Sequence, residues 1–190
     1  MTDSSTPDNN GTRIATDTVR FERLLPGPIE TVWAWLTESD KRALWLAGGA
    51  LPGREGEYFQ LNFRHASLSP KKAPVPEHLC AMENGVSTTH CLLQFNPPYL
   101  LQMSWGENAE EAPSEVTIEL KAEGDQVRLI LTHCLLSHRV LASVAGGWHA
   151  HLAIMTDKFA GVIPPSFWPL YETAEKNYRQ RFNESLDTND

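Results

Sequence analysis

The sequence predicts an α+β domain in which a curved antiparallel sheet wraps around a long C-terminal helix, with two short helices after the first strand. Two patterns carry the prediction. From Leu51 to Leu131 apolar residues recur at period two, and from Leu141 to Phe159 they recur at helical spacing. Length sets the frame: 190 residues suit one domain, with one core able to bury about 70% of the unfolded chain's surface.

Residues 1–15 are rich in Ser, Thr, Asp and Asn and read as a disordered tail. Asp17–Leu24 alternates around Val19, Phe21 and Arg23 as an opening strand. Pro26-Gly27-Pro28 stops it, and Pro28 suits the start of a helix to about Thr37. Ile29, Val32, Trp33 and Leu36 give that helix one apolar face. A second short helix is expected over Glu38–Ala47, closed by Gly48-Gly49.

Five further strands follow. Glu57–His65 sets Phe59, Leu61 and Phe63 on one face; Thr89–Phe95 sets Cys91, Leu93 and Phe95 together. Tyr99–Trp105 aligns Tyr99, Leu101, Met103 and Trp105, and Ser114–Leu120 aligns Val116, Ile118 and Leu120. Val127–His133 aligns Val127, Leu129, Leu131 and His133 after a turn at Glu123-Gly124-Asp125. One apolar face per strand means an antiparallel sheet with one side on a core. The proline-rich stretch 66–85 reads as a long loop, and loops of that length are usually functional or mobile.

Leu141, Val144, Ala145, Trp148, Leu152, Met155 and Phe159 make one continuous stripe, so the long helix crosses the sheet's apolar face. Gly146-Gly147 inside it costs about 2 kcal/mol relative to alanines. A bend over the sheet is the expected gain; a close approach, or a hinge that opens for a ligand, stays open. Gly161 and Pro164-Pro165 end the helix, and a further helix, aromatic at first and then charged, occupies 164–185. The division expected is a tail to 15, a main domain over 16–163, the extra helix, and a disordered 186–190.

Composition excludes several functions. Sixteen Lys and Arg against 24 Asp and Glu give a net charge of −8, unsuited to nucleic-acid phosphates or anionic lipid. No apolar run reaches the roughly 18 residues of a membrane span, and the polar N-terminus lacks signal-peptide character. Cys80, Cys91 and Cys134 suggest neither a disulfide framework nor a zinc ribbon, so a cytoplasmic setting is expected. His149 and His151 fall roughly 200° apart on a helix and cannot share a metal ion. No cofactor or metal is expected, and no nucleophile elbow, phosphate loop or HExxH motif occurs. Glu110-Glu111 lies in an acidic stretch read as a solvated edge.

Val19-Arg20-Phe21-Glu22-Arg23 is followed by Pro28-Ile29-Glu30-Thr31-Val32-Trp33, then by Asn96-Pro97-Pro98 and Trp105-Gly106-Glu107. Ser114-Glu115-Val116-Thr117-Ile118-Glu119-Leu120, Leu131-Thr132-His133 and Gly147-Trp148 complete the series. With this element order, the sequence resembles the helix-grip (START/pollen-allergen-like) fold of the START-like (SRPBCC) superfamily. Within it the sequence is most similar to the family of homologues of the activator of heat-shock chaperone (Hsp) ATPase. The resemblance implies a cavity between sheet and long helix for a small hydrophobic molecule such as a lipid or polyketide. The loop 66–85 and the C-terminal helix depart from the family and would cover or reshape that cavity.

Residues on the expected inward faces form the candidate site: Trp33, Trp45, Phe59, Leu61, Phe63 and Met103 from the first half of the chain, then Trp105, Leu131, His133, Trp148, His149, Leu152 and Met155. They either line a cavity or fill it. His133 is the expected polar group inside, meeting His149 across the core. Non-catalytic binding is the leading reading. A co-chaperone acting on a chaperone ATPase is the second. A cyclase- or hydrolase-type enzyme is the third, with His133, His149 and Tyr99 as acid–base candidates. Homodimerisation is left open.

Overall fold

The computed structural model describes residues 9–106 and 113–187, so the acidic pair Glu110-Glu111, residues 1–8 and residues 188–190 lie outside it. The chain runs β1 (Thr12–Ala15), β2 (Thr18–Pro26), α1 (Ile29–Thr37), α2 (Ser39–Arg42), β3 (Ala47–Gly48) and β4 (Tyr58–Phe63). It continues with β5 (Val86–Asn96), β6 (Leu100–Trp105), β7 (Ser114–Glu123), β8 (Gln126–Cys134), α3 (Leu141–Phe159) and α4 (Phe167–Asp187). The strands form one curved, unclosed antiparallel sheet in the order β1-β2-β8-β7-β6-β5-β4-β3. Val19, Phe21, Leu61, Leu92, Val116, Leu129 and Leu131 are fully buried on its inner face.

Four expectations change in detail. Thr12–Ala15 is not tail but an edge strand paired with β2. It is held from the far end of the chain: the Gly11 amide donates to the Tyr178 hydroxyl at 2.6 Å. The second helix stops at Arg42, well before Ala47, because Arg42 turns inward. It is 1% exposed, and its guanidinium donates to the carbonyls of Ala47 (3.1 Å), Leu36 (3.2 Å), Thr37 (3.1 Å) and Gly49. One side chain thereby joins the end of α1 to the turn and strand that follow.

The third change is in β5. Its inward residues are His90 and Leu92, not Cys91 and Leu93, and a register shift between Leu92 and Gln94 returns Phe95 to the core side, against Trp33. A bulge inverts the alternation on either side of it, so period-two counting from Phe95 backwards selects the wrong face. The fourth concerns 66–85, which is tied down: Ser69 Oγ donates to the Pro164 carbonyl (2.7 Å) and Ser166 Oγ to the Lys71 carbonyl (2.6 Å). Short 3₁₀ turns at His65–Ser67 and Glu77–Met82 shape this segment.

α3 packs between the sheet and α4. Its 19 residues include buried side chains on more than one face, Leu141, Trp148 and Leu152 among them together with Ala150, His151 and Ile154. α4 is not merely charged after its first turn. Phe167, Trp168, Ala174, Tyr178 and Phe182 are all buried, a stripe at helical spacing that covers the outer side of α3. Among the described residues no helix is long and apolar enough to cross a membrane.

Candidate functional site

A pocket of about 470 Å³ opens between the far half of the sheet and the two long helices. Phe63, Val86, Thr88, His90 and Trp105 form its sheet wall. Leu79 and Met82 of the 66–85 segment, with His78, form a second wall. Val144, Gly147, Trp148 and His151 of α3 face Phe167, Trp168, Tyr171 and Glu175 of α4, and His65 completes the lining. The two segments that depart from the expected family pattern therefore build much of the wall. The lining is mainly apolar and aromatic, with a few convergent polar groups, the usual form of a small-molecule site.

Of the thirteen candidate residues, Phe63, Trp105 and Trp148 line this pocket. His133 stands one layer behind it. The Trp148 Nε1–H donates to His133 Nδ1 (2.9 Å), which leaves Nε2 as the protonated nitrogen, donating to Ser114 Oγ (2.7 Å). Ser114 in turn donates to the Trp105 carbonyl (2.9 Å). This chain ties the Trp148 side chain to the Trp105 backbone, two of the three tryptophans of the lining. Trp45, Phe59, Leu61, Met103, Leu131, Leu152 and Met155 are packed into the core away from the pocket lining, and Trp33 is half-buried against Phe95.

His149 does not meet His133. It points to the opposite side of α3, where its Nδ1 shares a hydrogen bond with the Tyr178 hydroxyl (3.0 Å). Tyr99 is 54% exposed at the sheet surface. His151 is the histidine of this helix that reaches the pocket, as the 200° separation of the two requires.

Sequence reading passed over His65, His90 and His151 as site residues. Each has a backbone reason for facing inward. His65 continues the Phe59, Leu61, Phe63 alternation; His90 shares the face of Leu92 just before the bulge; His151 lies three residues after Trp148. The Thr88 hydroxyl donates to His90 Nε2 (2.6 Å), and His90 Nδ1–H donates to the Ser104 carbonyl (2.9 Å). His151 Nδ1–H donates to the Trp45 carbonyl (2.7 Å). Burial holds all of these rings neutral at pH 7. It lowers the pKa of His65 to about 4, of His133 to about 3 and of His151 to about 3, with the neighbouring His65 adding to the effect on His151. His90 is lowered as well, by burial first and by Arg42 to a lesser degree, against the opposing Ser104 bond.

The glycine pair splits into two roles. A Cβ on Gly146 would stand 2.9 Å from the Glu175 backbone nitrogen, so this glycine lets α4 approach α3. A Cβ on Gly147 would meet nothing within 4 Å, and this glycine lines the pocket. Close approach, rather than a bend onto the sheet, therefore accounts for Gly146. The two alanine variants should differ in sign. Gly146→Ala is expected to lose about 1–3 kcal/mol through overpacking, and Gly147→Ala to gain up to about 1 kcal/mol from helix propensity. Urea unfolding checks both; equal effects would contradict the assignment.

Residues 26–160 match the family model described as Activator of Hsp90 ATPase homolog 1-like protein, over half of the chain. The chain belongs to this family. A protein from Bordetella parapertussis, solved by NMR in solution, is 50% identical over 94% of this chain and 93% of its own, with a TM-score of 0.79. The crystal structure of CalU16 from Micromonospora echinospora is 20% identical over 90% of this chain and 93% of its own, at a TM-score of 0.63. DynU16, a protein of the dynemicin biosynthetic locus, is 16% identical over 78% of this chain and 49% of its own, at 0.59. The last two share the helix-grip fold, consistent with a START-like assignment close to this family. No curated protein matches the chain.

Proposed function

We propose that the protein binds a small, largely apolar molecule without covalent chemistry, in the pocket between the sheet, α3 and α4. The observation that carries this reading is the pocket itself: about 470 Å³ walled by Phe63, Leu79, Met82, Trp105, Trp148 and Phe167. A filled interior would place these side chains against each other and leave no such volume, since cores pack at crystal-like density. The setting proposed is the cytoplasm, in keeping with Cys80, Cys91 and Cys134 as free thiols.

Native purification followed by mass spectrometry should recover an apolar molecule with the protein. Three tryptophans line the pocket, so added ligand should also change the intrinsic fluorescence. Absence of both a co-purified molecule and a fluorescence response to any apolar probe would refute the reading.

Family membership favours a second reading, a co-chaperone that stimulates a heat-shock chaperone ATPase. A direct ATPase assay with and without this protein decides it, because a pocket binder leaves that rate unchanged. Two acid–base candidates for an enzyme, His149 and Tyr99, stand outside the pocket lining, and His133 has both nitrogens engaged.

A further inference from the structure

Hydrogen-bonding capacity left over in the pocket is concentrated at one place. His90 has partners for both ring nitrogens, and so does His133 behind the wall. At the α4 end the accounting differs. His65 Nδ1 and Trp168 Nε1 are buried with no hydrogen-bond partner among the described residues. His151 donates its Nδ1–H to the Trp45 carbonyl, so its Nε2 carries a lone pair and can only accept.

His65 adjoins both of the other side chains. The His65 ring centroid is 5.4 Å from that of His151 and 4.9 Å from that of Trp168. They are 7%, 5% and 3% exposed, respectively, and all three line the pocket. Buried polar groups are nearly always paired, so the unpaired nitrogens of His65 and Trp168 signal a missing partner.

The chemistry of that partner follows from what the set offers. The Trp168 indole is a donor only, the free nitrogen of His151 is an acceptor only, and His65 can supply either. One oxygen that both accepts and donates satisfies such a set, and a hydroxyl does so. A carboxylate can only accept, which leaves His151 unmatched. It would also bring a charge into an apolar pocket whose histidines are neutral and whose charged neighbour in the lining, Glu175, is acidic. A pure hydrocarbon leaves every group unpaired. The rest of the lining favours a flat ring: Phe63, Trp105, Trp148 and Phe167 present aromatic faces and edges.

We infer that the pocket selects a hydroxyl-bearing aromatic molecule, a phenol or its polycyclic equivalent, whose oxygen is seated among His65, His151 and Trp168. This rests on the binding reading above and specifies the ligand class for it.

Three probes of one shape test it: 2-naphthol, naphthalene and 2-naphthoate, titrated at pH 7 into the full chain and followed by ¹⁵N-resolved NMR. The expected order puts 2-naphthol at least tenfold tighter than either of the others. Its binding, unlike that of naphthalene, should move the Trp168 indole N–H resonance downfield. Trp168→Phe identifies that resonance, and His65→Phe should reduce the preference for 2-naphthol to within about threefold while naphthalene binding persists. The first two measurements use the wild-type chain, so they decide the matter even if a variant fails to fold. Equal binding of 2-naphthol and naphthalene, or tightest binding of 2-naphthoate, overturns the hydroxyl assignment while leaving the pocket as a binding site. Absence of binding by all three overturns the assignment together with the pocket reading.

Discussion

Acidification is expected to unfold this protein, with stability beginning to fall near pH 6.5. The unfolded chain protonates its histidines near their ordinary pKa of about 6.5. The folded chain resists, because burial lowers His65 to about 4 and His133 and His151 to about 3, and lowers His90 too. Between those values the unfolded state binds more protons, so stability is full above about pH 6.5 and declines as pH falls. Each proton taken up only by the unfolded chain removes about 1.4 kcal/mol per pH unit. The three that fall this far, His65, His133 and His151, together give a slope on the order of 4 kcal/mol per unit, and His90 adds to it in the same direction. Against a stability of about 5–15 kcal/mol, unfolding should be complete within about one to four units. Urea denaturation at pH 7, 6, 5 and 4 measures the slope, and histidine ring NMR should show the rings of His65, His133 and His151 untitrated until the chain unfolds. A flat stability between pH 6.5 and 4.5 would show that the rings are not held as the structure places them.

Replacing Arg42 should be comparably damaging. Its guanidinium is buried, with its pKa lowered by that burial to about 10, so it remains charged at neutral pH. It satisfies carbonyls of Leu36, Thr37, Ala47 and Gly49, two of them at the end of α1, where helical carbonyls otherwise lack partners. Arg42→Met keeps much of the stem and removes every one of those donors. Hydrogen bonds to a charged group contribute about 1.5–3 kcal/mol each and do not add independently, so a loss of about 3–5 kcal/mol is expected. Arg42→Lys should recover only a fraction, since a point charge with three donors cannot reproduce the planar fork. Thermal unfolding of the two variants checks this. A loss under about 1 kcal/mol for Arg42→Met would mean that water or neighbouring groups replace the guanidinium.

What the amino-acid order determined by itself was the succession of elements and most inward faces. Val116, Ile118 and Leu120 on β7, or Val127, Leu129 and Leu131 on β8, are buried where period two puts them, and α3 spans Leu141–Phe159 as its stripe requires. These follow from local periodicity, which strands and helices impose on any half-buried segment.

The tertiary structure decided the rest. Arg42 looks like a surface residue in Ser39-Asp40-Lys41-Arg42; only the carbonyls gathered around it explain its burial. A one-residue bulge in β5, invisible to pattern counting, turned His90 inward. Above all, the pocket lies where α4 and the 66–85 segment come against the far end of the sheet, while most of the expected lining became solid core. A hydrophobic residue facing inward has the same sequence signature whether another side chain or a void lies opposite. That distinction depends on how distant elements dock, and docking is fixed by contacts such as Gly146 against Glu175 that join residues far apart in the chain.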